Sequence, residues 1–206
     1  MKKMFILILF LFVMGLNAQE KSLIQTAYNA LKSGNYEAAI SNYSKSIEIY
    51  DKYSPAFYGR AVAYHHLGQY SQAILDFNKA LDLEPNIKEV FFARGLSYSF
   101  ANDLGNAIKD FTEYIKFKPE SFEAYYSRAN IYYLLEDDVN AIADYDMALQ
   151  LNPNYGLPYY GKAIINKYQK KNDIALRFFD EYLKLNGNAD NLKSEVERLI
   201  KEIEEN

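Results

Sequence analysis

Cysteine is absent from all 206 residues, which excludes disulfides and any anchor built on a lipid-modified cysteine. Histidine is nearly absent as well. His65 and His66 are the only two; as helix neighbours they point about 100° apart, so they cannot chelate one metal, and they lack the His-Glu-x-x-His spacing. There is no glycine-rich phosphate loop, nucleophile elbow or spaced carboxylate pair. The acidic run Glu136, Asp137 and Asp138 lacks the alternating oxygens and central glycine of a calcium loop. These absences argue against an enzyme and against a cofactor or metal. Long apolar runs are missing too, save one. Met4 to Leu16 holds thirteen apolar or small residues, which at helical rise span roughly 20 Å, short of a bilayer core. With Lys2 and Lys3 before it and Ala18 after it, residues 1–18 read as a secretory signal peptide. The expectation is export to the periplasm or beyond, with no stable membrane insertion once the segment is removed. Removal takes two lysines and no acid, so the formal net charge moves from −4 to −6. No dense Lys/Arg cluster appears, so a nucleic-acid partner is not expected.

What is present is a period of 34 residues. Pro85, Pro119 and Pro153 fall into register, as do Ala39, Ala73, Ala107, Ala141 and Ala175, the mark of a repeat architecture. Five units follow, 20–53, 54–87, 88–121, 122–155 and 156–188. Counting places from one in each, place eight is Ala27, Ala61, Gly95, Ala129 and Ala163, and place twenty is the alanine series. Place twenty-four is always aromatic: Tyr43, Phe77, Phe111, Tyr145 and Phe179. In the second unit Phe57, Ala61, Val62 and Tyr64, then Ala73, Ile74, Phe77, Ala80 and Leu81 recur at three and four, the spacing of two helices. Small residues at places eight and twenty let the two helices approach closely while the rings fill the space beside them. Gly68 marks the turn and Pro85 the end of the second helix. Asn102 suits the same turn position, whereas Glu136 and Lys170 occupy it only under strain, so those two turns are expected to be built differently.

These places carry the small residues, aromatics and closing proline by which the chain resembles the tetratricopeptide repeat family, most clearly over Phe57 to Pro85. The resemblance implies an all-α fold: a right-handed α-solenoid of five helical hairpins. Residues 189–206 form an amphipathic C-terminal helix, with Leu192, Val196, Leu199, Ile200 and Ile203 on one face, expected to cap the apolar end of the stack. One continuous domain is expected, since no Gly/Ser/Pro-rich linker divides it. The resemblance also implies a concave face lined by the first helix of each hairpin. The residues there would be Tyr28, Tyr58, Val62, His65, Phe92, Leu96, Tyr126, Asn130, Tyr133 and Tyr160. Such an aromatic and apolar groove suits a protein or peptide partner, because tyrosine offers a large apolar body with a polar tip. Each ring has a plainer reading as packing between neighbouring helices. Of the lysine, arginine and asparagine with which some family members grip a peptide carboxylate, Asn130 and Lys167 alone match in part. The function implied is an extracytoplasmic scaffold; the alternative is a chaperone-like holdase for envelope proteins.

A charge pattern runs through the units. Arg60, Arg94, Arg128 and Lys162 hold place seven; Asp76, Asp110 and Asp144 hold place twenty-three. A structural ladder of ions is expected, each aspartate lying between the base of its own unit and that of the next. Tyr114 and Tyr182 depart from the small residue at place twenty-seven, which predicts local repacking of the helices there.

Overall fold

A computed structural model of the chain describes residues 18–186 and 192–205. The predicted signal segment, apart from Ala18, lies outside the described residues. Every regular element among them is a helix. In chain order they are α1 (Ala18–Lys32), α2 (Tyr36–Ile49), α3 (Ser54–His66), α4 (Tyr70–Leu83), α5 (Lys88–Phe100) and α6 (Leu104–Phe117). Then follow α7 (Phe122–Leu134), α8 (Asp138–Leu151), α9 (Leu157–Tyr168), α10 (Asn172–Asn186) and α11 (Lys193–Glu204). Two compact units, Met1–Ala107 and Ile108–Asn206, divide the chain inside α6. In the first, α1 pairs with α2 and α3 with α4, α2 packs on α3 and α4 on α5, and α3 touches both α1 and α5. In the second, α7 pairs with α8 and α9 with α10, α8 packs on α9, and α7 touches α9.

The pairing follows from the small-residue places. Ala27, Ala61, Ala129 and Ala163, and all five alanines of place twenty, are fully buried. Beside them the place twenty-four rings of Tyr43, Phe77, Phe111, Tyr145 and Phe179 are buried, each removing from water an apolar body worth about 1.5–3 kcal/mol. Pro85 and Pro153 follow α4 and α8 by two residues, and Pro55 and Pro158 start α3 and α9. Proline suits the first turn, where its missing amide has no partner in any case. Asn35, Asp103 and Asp137 accept from backbone amides three residues on, capping α2, α6 and α8.

All five hairpin turns are built alike, which corrects the expectation for two of them. Gly34, Gly68, Asn102, Glu136 and Lys170 have φ of 81, 73, 61, 60 and 58°. In each turn the next amide reaches back five residues to a helix carbonyl, as Gln69 does to Tyr64 and Lys171 to Asn166. That bond, a helix-ending 6→1 link, is available only with a left-handed residue. The two closing bonds hold Glu136 and Lys170 there despite their Cβ atoms.

Two junctions between hairpins share a tighter fit. A Cβ placed on Gly59 would lie 2.5 Å from Tyr43 Oη and 2.6 Å from its Cε2. One placed on Gly161 would lie 2.5 Å from Tyr145 Cζ. The tyrosine of one hairpin thus rests on the bare backbone of the next. Where place twenty-four is Phe77 or Phe111, the matching residue is Ala93 or Ser127; a ring without a hydroxyl leaves room for a Cβ.

The C-terminal helix α11 lays Val196, Leu199 and Ile203 against Ala163, Ala175, Phe179 and Tyr182 of the fifth hairpin. Tyr182 is wholly buried there, its ring 5.7 Å from that of Tyr160. Tyr114, the other departure at place twenty-seven, is also buried. Among the described residues no helix is long and apolar enough to cross a membrane.

Candidate functional site

The first helices present the sequence-predicted groove residues in a common state. In the first unit Tyr28, Tyr58, Val62, His65, Phe92 and Leu96 are half-buried, and in the second so are Tyr126, Asn130, Tyr133 and Tyr160. Half-burial has a cause at place five. The Tyr58 ring packs 5.7 Å from Phe77, Tyr126 lies 6.0 Å from Tyr145, and Tyr160 lies 6.2 Å from Phe179. Each of these three rings therefore rests on the core ring of its own hairpin and stays half-exposed. Tyr126 also meets Tyr155 edge-on at 5.0 Å. These rings belong partly to the core, as do Val62 and Ile164 at place nine and Leu31 and Tyr133 at place twelve, which pack against the same clusters.

His65 is tied down. Its Nδ1 lies 2.9 Å from Ser97 Oγ, whose hydroxyl donates to the Ala93 carbonyl at 3.1 Å. With the serine proton spent, Nδ1–H is the donor, which leaves Nε2 as an acceptor in the neutral ring. Burial, then the adjacent His66, lowers the His65 pKa below its ordinary value. The rings of Tyr70 and Phe100 contact it edge-on at 5.5 and 5.6 Å, and Tyr36 stacks on His66 at 4.7 Å.

The second unit engages its two clamp-like side chains internally. Tyr145 Oη donates to Asn130 Oδ1 at 2.7 Å, and Lys167 Nζ bonds Glu202 of α11 at 3.1 Å. Burial, followed by neighbouring phenols, pushes the Tyr133 pKa up. Tyr43, the counterpart of Tyr145 in the first hairpin, has no such acceptor. Its hydroxyl and those of Ser46 and Tyr53 are buried without a hydrogen-bond partner among the described residues. Burial and then Glu84 push Tyr53 up to about 12.

The place seven bases join two hairpins each. Arg60 Nε and Nη2 donate to Asp76 at 2.6 and 2.9 Å, while Nη1 donates to Ser44 Oγ at 2.9 Å. Arg128 repeats this with Asp144 at 2.7 and 2.9 Å and with Thr112 Oγ1 at 2.8 Å. Arg94 Nη1 donates to Asn78 Oδ1 at 2.6 Å. Each guanidinium lies between two rings of its own helix: Phe57 and Tyr64, Phe91 and Tyr98, Tyr125 and Tyr132. Asp110 is buried. The bonds differ from the expected ladder of aspartates between two bases: Asp76 and Asp144 bond the arginine of their own unit, and the next base, Arg94 or Lys162, bonds Asn78 or Asp146. Lys162 Nζ bonds Asp146 at 2.5 Å rather than Asp144, and lies over the ring of Phe178, which stands where units two to four have aspartate. The side chains of the preceding hairpin that receive these bases are thus Ser44, Asn78, Thr112 and Asp146, all at place twenty-five. Sequence reasoning missed them, although their shared polarity at one register was a readable signal. Among the described residues no three His, Cys, Asp or Glu side chains gather as a metal site.

The tetratricopeptide repeat matches residues 54–87 and 122–155, and a second profile of the same repeat matches 21–53. No curated protein matches the chain. Its fold is shared with MamA (residues 41 to the end) from Desulfovibrio magneticus RS-1, at 19% identity over 86% of this chain and 100% of that one, with a TM-score of 0.80. A crystal structure of MamA protein aligns at 17% identity over 82% and 92% of the two chains, TM-score 0.75. YrrB, described as a TPR protein with an unusual peptide-binding site, aligns at 17% identity over 84% and 90%, TM-score 0.72.

Proposed function

We propose that this chain, which carries tetratricopeptide repeats at 21–53, 54–87 and 122–155, is an exported, non-catalytic scaffold. In this reading it holds a protein or peptide segment against the first helices of its hairpins. The observation that carries the reading is the half-buried apolar and aromatic series, Tyr28, Val62 and Leu96 in one unit and Tyr133 in the other. Such side chains offer a partner apolar area and phenolic tips at low entropic cost. The structural likeness to a peptide-binding repeat protein supports it as analogy of fold. Signal-like residues 1–18 support export.

The few charges along Val62, Phe92 and Leu96 favour partners with uncharged, apolar segments, and also suit a holdase for unfolded envelope proteins. Capture from the host's envelope fraction, read by mass spectrometry, separates the two. The bait pair is the native chain and one carrying Val62→Glu, Leu96→Glu and Tyr133→Ala, chosen because these positions lie outside the ring pairs of the core. Loss of one or two proteins with the variant identifies an adaptor, and loss of a broad set identifies a holdase. Equal capture by both baits removes the first-helix face from the proposal. Fractionation that leaves the native chain in the cytoplasm removes export.

A further inference from the structure

The hairpin turns of the second unit carry a feature that folding does not require. Glu136 and Lys170 stand at φ of 60 and 58°, where the first two turns have glycine. A Cβ in that conformation is strained, and strain kept where a simpler residue would serve points to a use for the side chain. Both residues are exposed, and neither has an ion pair among the described residues. Their charges are opposite. Gln169 Nε2 donates to Asp138 at 2.7 Å and Lys171 Nζ donates to Gln169 Oε1 at 2.8 Å, holding the two turns side by side. On the same edge, Leu134, Val139 and Tyr168 are 61, 80 and 73% exposed.

We propose that this edge is where a second copy of the chain docks, turn against turn about a two-fold axis. A two-fold contact must be self-complementary: whatever one copy offers, it must also accept. One acidic and one basic turn on either side of exposed apolar residues meet that demand. Glu136 of each copy faces Lys170 of the other, while Leu134, Val139 and Tyr168 pack together at the centre. A partner of single charge sign, or an anionic membrane surface, is attracted by one turn and repelled by the other. Two turns and three apolar side chains per copy make a limited contact, so the association is of the weak, transient kind.

Sedimentation velocity of the full chain over a concentration series tests this. The expected result is a reversible dimer that weakens with added salt. Glu136→Lys and Lys170→Glu each reduce the affinity about tenfold or more, since each reversal sets like charges together twice per dimer. The double variant Glu136→Lys with Lys170→Glu restores it, and Val139→Asp abolishes it. The exchange of charge leaves the same two residues strained, so unfolding midpoints stay close to native and separate association from folding. A chain that stays monomeric at the highest soluble concentration overturns the proposal. So does a dimer indifferent to both single reversals, or a double variant that fails to recover.

Discussion

Gly59→Ala tests the junction packing most directly, because two opposing effects give it a readable sign. In an unobstructed helix interior, glycine to alanine gains about 1 kcal/mol. At Gly59 the new Cβ would lie 2.5 Å from Tyr43 Oη and 2.6 Å from Cε2, against a preferred carbon separation of about 3.5–4.0 Å. The ring is buried on all sides and cannot simply swing away. Overpacking of this kind costs about 1–3 kcal/mol, so the net expectation is a loss of up to about 2 kcal/mol, near 2–4 °C in Tm per kcal/mol for a chain of this size. Tyr43→Phe alone should be near neutral, since the hydroxyl it removes is buried without a partner among the described residues. Combined with Gly59→Ala it lets the shortened ring withdraw, as Phe77 does beside Ala93, and should recover about 1 kcal/mol of the loss. Gly105→Ala is the matched control, because a Cβ there meets nothing within 4 Å; it should be neutral or stabilising. Urea unfolding followed by circular dichroism on all four variants supplies the cycle. Stabilisation by Gly59→Ala, or a double variant no better than the single, refutes the contact.

Glu136→Gly and Lys170→Gly should each raise the unfolding free energy by about 1 kcal/mol, because glycine relieves the left-handed strain; a loss in either would show that the side chain stabilises the turn. Asp144→Asn should cost about 2–3 kcal/mol, since it leaves the Arg128 charge half-buried between two rings, whereas Thr112→Val should cost about 0.5–1.5 kcal/mol; equal losses in urea titrations would refute the division of roles. For His65 the folded pKa lies below the unfolded one. The unfolded chain therefore takes the proton first as pH falls through about 6.5. Stability should decline on acidification below that point, and His65→Gln should remove this part of the decline in thermal melts across pH. The raised Tyr43 and Tyr145 act at the other end, where unfolded phenols ionise first above about pH 10. Tyr145→Phe should lessen the alkaline loss, and an unchanged profile would refute that assignment.

The sequence marked the place five, nine and twelve residues as a partner-binding candidate, but not the share of each that packing consumes. Tyr58, Tyr126 and Tyr160 stand in one register of the sequence, yet their contacts with Phe77, Tyr145 and Phe179 decide how much ring is left for a partner. Asn130 takes the Tyr145 hydroxyl on its Oδ1, which ties that oxygen to the core, while the donors of the side-chain amide lie on its other atom.

The sequence by itself determined the helical hairpins, their period and their ends, because alanine at close approaches, proline past a helix and Asn or Asp at a cap act through steric and hydrogen-bonding rules a few residues long. Helix pairing repeats every 34 residues, so place-by-place comparison also exposed the ion series. Only the tertiary structure decided what depends on two hairpins meeting. Arg60 spans Asp76 and Ser44, sixteen residues away in either direction, because stacking brings a side chain of the preceding hairpin to its free nitrogen. Glu136 and Lys170 take a conformation their own chemistry disfavours because each turn must close the same bond back to its helix. Gly59 is bare because Tyr43 of another hairpin occupies the place of its side chain. Local rules set what each segment forms, and the excluded volume and hydrogen bonds between segments set what each residue must then tolerate.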